Sequence, residues 1–152
     1  MNIYVDSREK WTQDGNDDTH IKDYFERHNI NYAVKKLDVG DYQIEGKTSI
    51  SIDRKKNLEE LAKNLMNKKD HSRFWKEVRR AKEQKTKLII LCEHGGKIKD
   101  IKSVSQWKSK YSPVNGRQLM EEIYKVHIAY GIDFLFCSKR STGKKIIELL
   151  NN

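Results

Sequence analysis

Gly40-Asp41-Tyr42-Gln43-Ile44-Glu45-Gly46-Lys47-Thr48-Ser49-Ile50-Ser51-Ile52-Asp53-Arg54-Lys55 is the segment that most constrains the fold of this chain. Asp41 to Ile44 and Thr48 to Asp53 have strand character and flank the turn Glu45-Gly46-Lys47, which predicts an antiparallel hairpin. In the second arm Ile50 and Ile52 alternate with Ser49, Ser51 and Asp53, so one face is apolar and the other polar. Pairing then brings Asp41, which begins one arm, close to Asp53, which ends the other. With the chain still extended beyond Asp53, Lys55 points to the same face.

On either side of the hairpin, strands alternate with helices. Ile3 to Val5 is a short apolar strand running into Asp6-Ser7-Arg8-Glu9, and polar Trp11 to Asp18 reads as a loop. Asp18 or Thr19 can cap a helix to about Asn29, followed by a strand over Tyr32–Leu37 and a turn at Asp38-Val39-Gly40. Asn57 and Glu60 have the spacing of a capping box, and a further helix is expected from about His71 to Gln84. Leu88 to Cys92 is a continuous apolar run, the mark of a strand buried on both faces. In the segment from His94 to Ser112, Trp107 and Tyr111 are the expected anchors. Asn115 caps a helix to Tyr130, Ile132 to Cys137 is a strand, and Ser141 or Thr142 opens the last helix. The pattern predicts one α/β domain over residues 1–152, a central mixed β-sheet flanked by helices.

Charge is distributed unevenly along the 152 residues. Lys and Arg number 31 against 22 Asp and Glu, a formal net charge of +9. Residues 1–53 carry 7 basic and 11 acidic side chains, whereas residues 54–87 carry 13 basic and 5 acidic. A Lys-rich run is ordinarily a solvated helix face. Here the sign reverses beside a group of acids, which suits a polyanionic partner. No apolar run approaches the roughly 18 residues of a spanning helix. The N-terminus has no basic-then-apolar signal, so an intracellular protein is expected, cytoplasmic if bacterial or viral, with no membrane partner. Cys92 and Cys137 end apolar runs and read as reduced core thiols. The five His residues form no metal-ligand pair, and most are expected at the surface or on helix flanks.

Two carboxylates on one strand pair make an oxygen site for a hard divalent cation such as Mg²⁺, which binds one or two carboxylates plus waters and phosphate oxygens. A neighbouring lysine can help deprotonate or orient an attacking water, or neutralise phosphate charge. The bland alternative is a surface salt bridge between Asp53 and a nearby lysine. Asp6 and Glu9, following the first strand, fall at what would be the same sheet end.

Val5-Asp6-Ser7-Arg8-Glu9, Val39-Gly40-Asp41-Tyr42 and Ile52-Asp53-Arg54-Lys55 together resemble the nuclease domain of XPF-type structure-specific endonucleases, which reads V-D-x-R-E, G-D-Y and E-R-K-x3-D. That family belongs to the PD-(D/E)XK superfamily, with a restriction-endonuclease-like fold. The likeness extends through Ser72-Arg73-Phe74, the strand ending in Glu93, and Pro113 to Leu150. It implies that Asp41 and Asp53, with the backbone carbonyl of Arg54, ligate Mg²⁺ or Mn²⁺, and that Lys55 is catalytic. Asp6 would lie at the edge of the site, ligating a second ion or a water, and Glu9 counts with the catalytic acids. Arg8, Glu59 and Arg73 would support the site. Asp53 stands where the family has Glu, and Glu59 where it has Asp, which shifts each carboxylate by one methylene.

The resemblance implies a metal-dependent DNA endonuclease acting on flaps, forks or junctions in DNA repair, recombination or replication. A four-way-junction resolvase and a non-catalytic DNA-binding module of the same fold are the alternatives. No paired hairpin glycines of a tandem helix-hairpin-helix module occur before Asn152. Duplex grip is therefore expected from Lys56, Lys68, Lys69, Arg73, Lys76, Arg79 and Arg80, from a homodimer, or from a separate DNA-binding or replication partner. Trp11 and Trp75 are weighed as stacking surfaces for an unpaired base, against the commoner role of packed aromatics.

Overall fold

A computed structural model describes all residues except Asp14, Asn16 and Asp17. Its strands are β1 (Asn2–Asp6), β2 (Asn31–Lys35), β3 (Tyr42–Ile44), β4 (Lys47–Lys55), β5 (Lys87–Glu93) and β6 (Asp133–Cys137). Its helices are α1 (His20–Arg27), α2 (Leu58–Met66), α3 (Lys68–Glu83), α4 (Gly116–Tyr130) and α5 (Thr142–Leu150). The strands form one six-stranded sheet in the order β2-β1-β3-β4-β5-β6. β1 is parallel to β2 and antiparallel to β3, β3 and β4 are antiparallel, and β4, β5 and β6 are parallel. This is the mixed sheet that the hairpin and the later strand–helix alternation predict.

The β3–β4 hairpin turns through Gly46, at a φ of 79°, and Tyr42 pairs with Ile52 after an irregularity in register. Gly40 enters β3 at a φ of 70°, and a Cβ there would lie 2.3 Å from Ser51 Oγ and 2.9 Å from the Ile52 carbonyl oxygen. Only glycine fits that approach, and it sets the residue that follows, Asp41, against β4.

Each face of the sheet carries its own core. Leu58, Leu61, Phe74, Val78, Leu119 and Ile123 from α2, α3 and α4 pack on Leu88, Ile90 and Cys92. Ile21, Phe25 and Ile146 from α1 and α5 pack on Ile3, Val5, Ile52, Ile89 and Leu91. The unbroken apolar run of β5 is thus shared between two layers, each buried Leu, Ile or Phe contributing about 1.5–3 kcal/mol.

Local differences from the sequence expectation have local causes. α3 starts at Lys68, three residues before His71, because Asn67 Oδ1 caps it by accepting from the amides of Lys69 and Asp70. Asn57 accepts from the Glu60 amide as expected, but Glu60 returns its carboxylate to the Lys56 amide, so the capping box is only half formed. Trp11 lies on a short 3₁₀ turn (Lys10–Thr12), buried against Phe25 and Tyr32, and its indole N–H donates to Tyr42 Oη at 2.7 Å. It is a core residue, not a base-stacking surface. Tyr111 is 83% exposed and anchors nothing, whereas Trp107 packs against the helix-side core. Cys92 is buried, Cys137 is half-buried, and both are free thiols. Burial pushes the Cys92 thiol up, so it stays protonated. No helix among the described residues is long and apolar enough to cross a membrane.

Candidate active site

The polar residues of the hairpin and of the strand ends gather at one edge of the sheet. Asp41 precedes β3, and its amide donates to the Ile52 carbonyl at 2.6 Å, which places its side chain beside the end of β4. Asp41 Oδ2 accepts from the Arg54 amide at 2.8 Å, tying the carboxylate to the neighbouring backbone. Alternation along β4 sends Asp53 and Lys55 toward α2 and α3 and sends Arg54 to the opposite layer. Lys55 Nζ lies 3.1 Å from Asp53 Oδ1 and donates to Asn64 Oδ1 of α2 at 2.8 Å. Both side chains are more than nine-tenths buried. Asp6, Arg8, Asp41, Asp53, Lys55 and Glu77 border one cavity of about 460 Å³.

Burial, and then like charges at close range, set the electrostatics of this cavity. Burial, then Asp53 and Glu9, push the Asp41 carboxyl well above the usual carboxylate range. Burial and Asp53 do the same to Glu77. Burial pulls the Lys55 ammonium down, but Asp53, Glu77, Asp41 and Glu60 outweigh it and hold Lys55 above its ordinary value. Lys55 is therefore a fixed cation near neutral pH, suited to orienting a water or neutralising phosphate charge and unsuited to removing a proton.

On the other layer Arg54 is a buried hub. Its Nε donates to Glu93 Oε1 at 2.5 Å, Nη1 to Glu9 Oε2 at 3.0 Å and Nη2 to Asp18 Oδ2 at 2.9 Å. Tyr42 Oη also donates to Glu9 Oε2 in a short hydrogen bond. His20 sits between Asp18 Oδ1 and Glu93 Oε1, 2.9 Å from each, so it is a member of this network and not a surface histidine. The line Trp11–Tyr42–Glu9–Arg54–Glu93–His20 thereby joins the 3₁₀ turn, β3, β4, β5 and α1 behind the cavity.

A family model for the ERCC4 domain matches residues 5–150. The chain belongs to the ERCC4 domain family. Among solved structures it is similar to XPF from Aeropyrum pernix, with 21% identity, a TM-score of 0.70 and 99% of this chain and 64% of that one covered. It is likewise similar to XPF from Aeropyrum pernix in complex with DNA, at 20% identity and a TM-score of 0.68, covering 99% of this chain and 63% of that one. The likeness shows a common fold, and this chain spans just under two thirds of the length of those proteins. No match is found among curated proteins.

Within this ERCC4 domain the residues singled out from sequence take distinct places. Asp41, Asp53 and Lys55 come together. Asp6 is fully buried, and its carboxylate accepts from Arg8 Nε (2.7 Å), Arg8 Nη2 (3.2 Å), the Arg8 amide (3.2 Å) and the Leu37 amide (2.8 Å). Those bonds occupy the lone-pair positions of both oxygens, so Asp6 braces Arg8 and the β2–β3 connection and is not an open ligand for a second ion. Glu9 is engaged by Tyr42 and Arg54 and also borders the cavity. Glu59 turns away from the cavity and accepts from Ser109 Oγ at 2.6 Å and the Lys110 amide at 3.1 Å, pinning that loop. Arg73 is 70% exposed, 3.6 Å from Asp70, and does not brace the cavity.

Lys68, Lys69, Lys76 and Arg79 are exposed along α3, while Arg80 Nε donates to the Asp38 carbonyl at 2.7 Å. Lys56 borders the cavity itself. Trp75 is 37% exposed and meets Tyr130 edge to face, with ring centroids 4.8 Å apart.

Sequence reasoning missed Glu77. It lies on α3 between the buried Phe74 and Val78, and only the azimuth of the packed helix shows that it faces the strand ends. Its Oε1 is buried with no hydrogen-bond partner among the described residues, and its carboxyl is within hydrogen-bonding reach of Asp53.

The donor set suits a hard divalent cation. Asp41 and Asp53 border the same cavity and carry oxygen donors of the kind such a cation takes, and Glu77 Oε1 there has no hydrogen-bond partner among the described residues. Among the described residues no three His, Cys, Asp or Glu side chains converge on one point.

Proposed function

We propose that this chain is a divalent-metal-dependent DNA endonuclease that hydrolyses phosphodiester bonds at flaps, forks or junctions during repair, recombination or replication. The observation that carries the reading is that Asp41 and Asp53 line one polar cavity with Lys55 Nζ 3.1 Å from Asp53 Oδ1, beside a basic helix. ERCC4 domain membership supports it, as does the fold shared with an XPF in complex with DNA.

Asp41, Asp53 and the Arg54 carbonyl would hold Mg²⁺ or Mn²⁺. When bound, that ion supplies Lewis acidity, lowering the pKa of a bound water and offsetting charge on the scissile phosphate. The protein's own contribution is positional. The Arg54 amide fixes the Asp41 carboxylate, and Asn64 aims the Lys55 ammonium, which stays charged to stabilise the developing negative phosphate. Exposed Lys68, Lys69, Lys76 and Arg79 hold the DNA backbone, giving register without sequence preference. By superfamily analogy the products carry a 5′-phosphate and a 3′-hydroxyl. Pairing of two copies would place two such sites on one branched substrate.

The test is incubation of labelled flap, fork, four-way junction and linear duplex DNA with wild type and Lys55→Ala, in Mg²⁺ and in EDTA. Wild type should cut branched DNA in Mg²⁺ only, and Lys55→Ala should bind it with cleavage slowed at least about 10²-fold. Binding without cleavage by wild type in both Mg²⁺ and Mn²⁺ would replace this reading with that of a non-catalytic module.

A further inference from the structure

We propose that Glu77 of α3 is a third acid of the cation site, taking hold of a cation-bound water that Asp41 and Asp53 alone leave without a protein acceptor. The inference rests on the cation-site reading above and extends it from the hairpin to the helix. Glu77 borders the same cavity as Asp41 and Asp53. A carboxylate oxygen that is buried with no donor is costly, and Glu77 Oε1 is one. Asp53 lines the same cavity and its ionised carboxylate can only accept. Lys55 Nζ spends two of its three donors on Asp53 and Asn64, and none of them reaches Glu77 Oε1.

The unpartnered Glu77 Oε1 leaves room for a donor from outside the chain. The water shell of a hard divalent cation supplies such donors, and Mg²⁺ retains several waters. Direct coordination by Glu77 is disfavoured because no three acidic side chains among the described residues converge on one point. Packing aims the residue: Phe74, Val78 and Ala81 are buried in the helix-side core, so Glu77, adjoining that stripe, is carried to the strand ends. A glutamate held this way acts as an outer-sphere acceptor, a role whose loss ordinarily weakens metal binding about 10- to 100-fold.

The experiment is calorimetric titration of Mn²⁺ into wild type, Asp53→Asn, Glu77→Gln and Glu60→Gln, each checked for folding by circular dichroism. Glu60 borders the same cavity, but its carboxylate already accepts from the Lys56 amide at 3.2 Å, so it controls for removal of one negative charge nearby. Wild type should bind, Asp53→Asn should abolish binding, and Glu77→Gln should weaken it about 10- to 100-fold, far more than Glu60→Gln. Glu77→Asp keeps the charge and withdraws the carboxyl by one methylene. It serves as the second variant should the amide perturb folding, and it too should weaken Mn²⁺ binding. Wild-type affinity in Glu77→Gln or Glu77→Asp, or equal losses in Glu77→Gln and Glu60→Gln, would overturn the role of Glu77 and leave the cation site standing. No Mn²⁺ binding by wild type, or undiminished binding by Asp53→Asn, would remove the cation site and Glu77's role with it.

Discussion

Arg54 and Glu93 form a buried ion pair, Nε to Oε1 at 2.5 Å, with their side chains 1% and 3% exposed. The pair joins β4 to β5 behind the cavity, one residue along β4 from both Asp53 and Lys55. Its guanidinium also serves Glu9 and Asp18, the latter shared with Lys139 at 3.1 Å. Such an arrangement is costly to desolvate and costly to break, and it fixes the position of the strand that carries the site.

Arg54→Met is accordingly expected to destabilise the protein by about 3–5 kcal/mol, the cost of leaving buried acids without their counterion. Urea denaturation measures it. Arg54→Met combined with Glu93→Gln and Glu9→Gln should recover part of the loss, because the orphaned charges go with the arginine. A triple variant as unstable as the single one would show that the hub acts through packing and not through charge.

Stability in EDTA should respond to pH in opposite senses at Asp41 and Glu93. Burial and the adjacent Asp53 raise the Asp41 carboxyl, so in the window above the unfolded value of about 3.9 the folded protein binds a proton that the unfolded chain has released. Stability therefore falls as pH rises through that window, and Asp41→Asn should melt higher than wild type at pH 7.5, the gain fading toward pH 4. Burial would raise Glu93 as well, but His20 and Arg54 outweigh it and hold that carboxyl low. Its contribution is present above about 4.3, the unfolded value, and is lost as pH falls through the lower folded one. Glu93→Gln should melt lower than wild type at neutral pH and converge with it in acid. Melting temperatures from pH 4 to 8 read both, each kcal/mol moving the midpoint by about 2–4 °C in a chain of this size.

The exposed ridge of α3 offers a third measurement. Removing Lys68, Lys69, Lys76 and Arg79 singly should weaken binding to flap and linear duplex DNA alike. Each substitution that frees one phosphate should lower the slope of log K against log salt by roughly one unit. Arg80 behaves differently because its guanidinium donates to the Asp38 carbonyl, so Arg80→Ala should lower stability as well. Unchanged slopes in all four variants would place the DNA path off α3.

Asp41, Asp53 and Lys55 were legible in the sequence because a hairpin is local. Period-two alternation and a three-residue turn specify which side chains share a face, and their register needs little from elsewhere in the chain. The alternation of strands and helices was legible for a similar reason, since β5 announces itself by an unbroken apolar run.

Residues whose partners lie far along the chain needed the folded structure. Glu77 reads as one charge in a Lys-rich run until packing of Phe74 and Val78 fixes the helix azimuth and turns it toward Asp53. Asp6, in a motif suggestive of metal binding, proves to be filled by Arg8 and the Leu37 amide. Glu59 faces Ser109, and Trp11, in a polar stretch, is drawn into the core by Phe25, Tyr32 and the Tyr42 hydroxyl. Local periodicity determines the face on which a strand residue lies. Whether a carboxylate there is left open or already satisfied depends on donors brought to it from other elements, and only the folded chain assembles those.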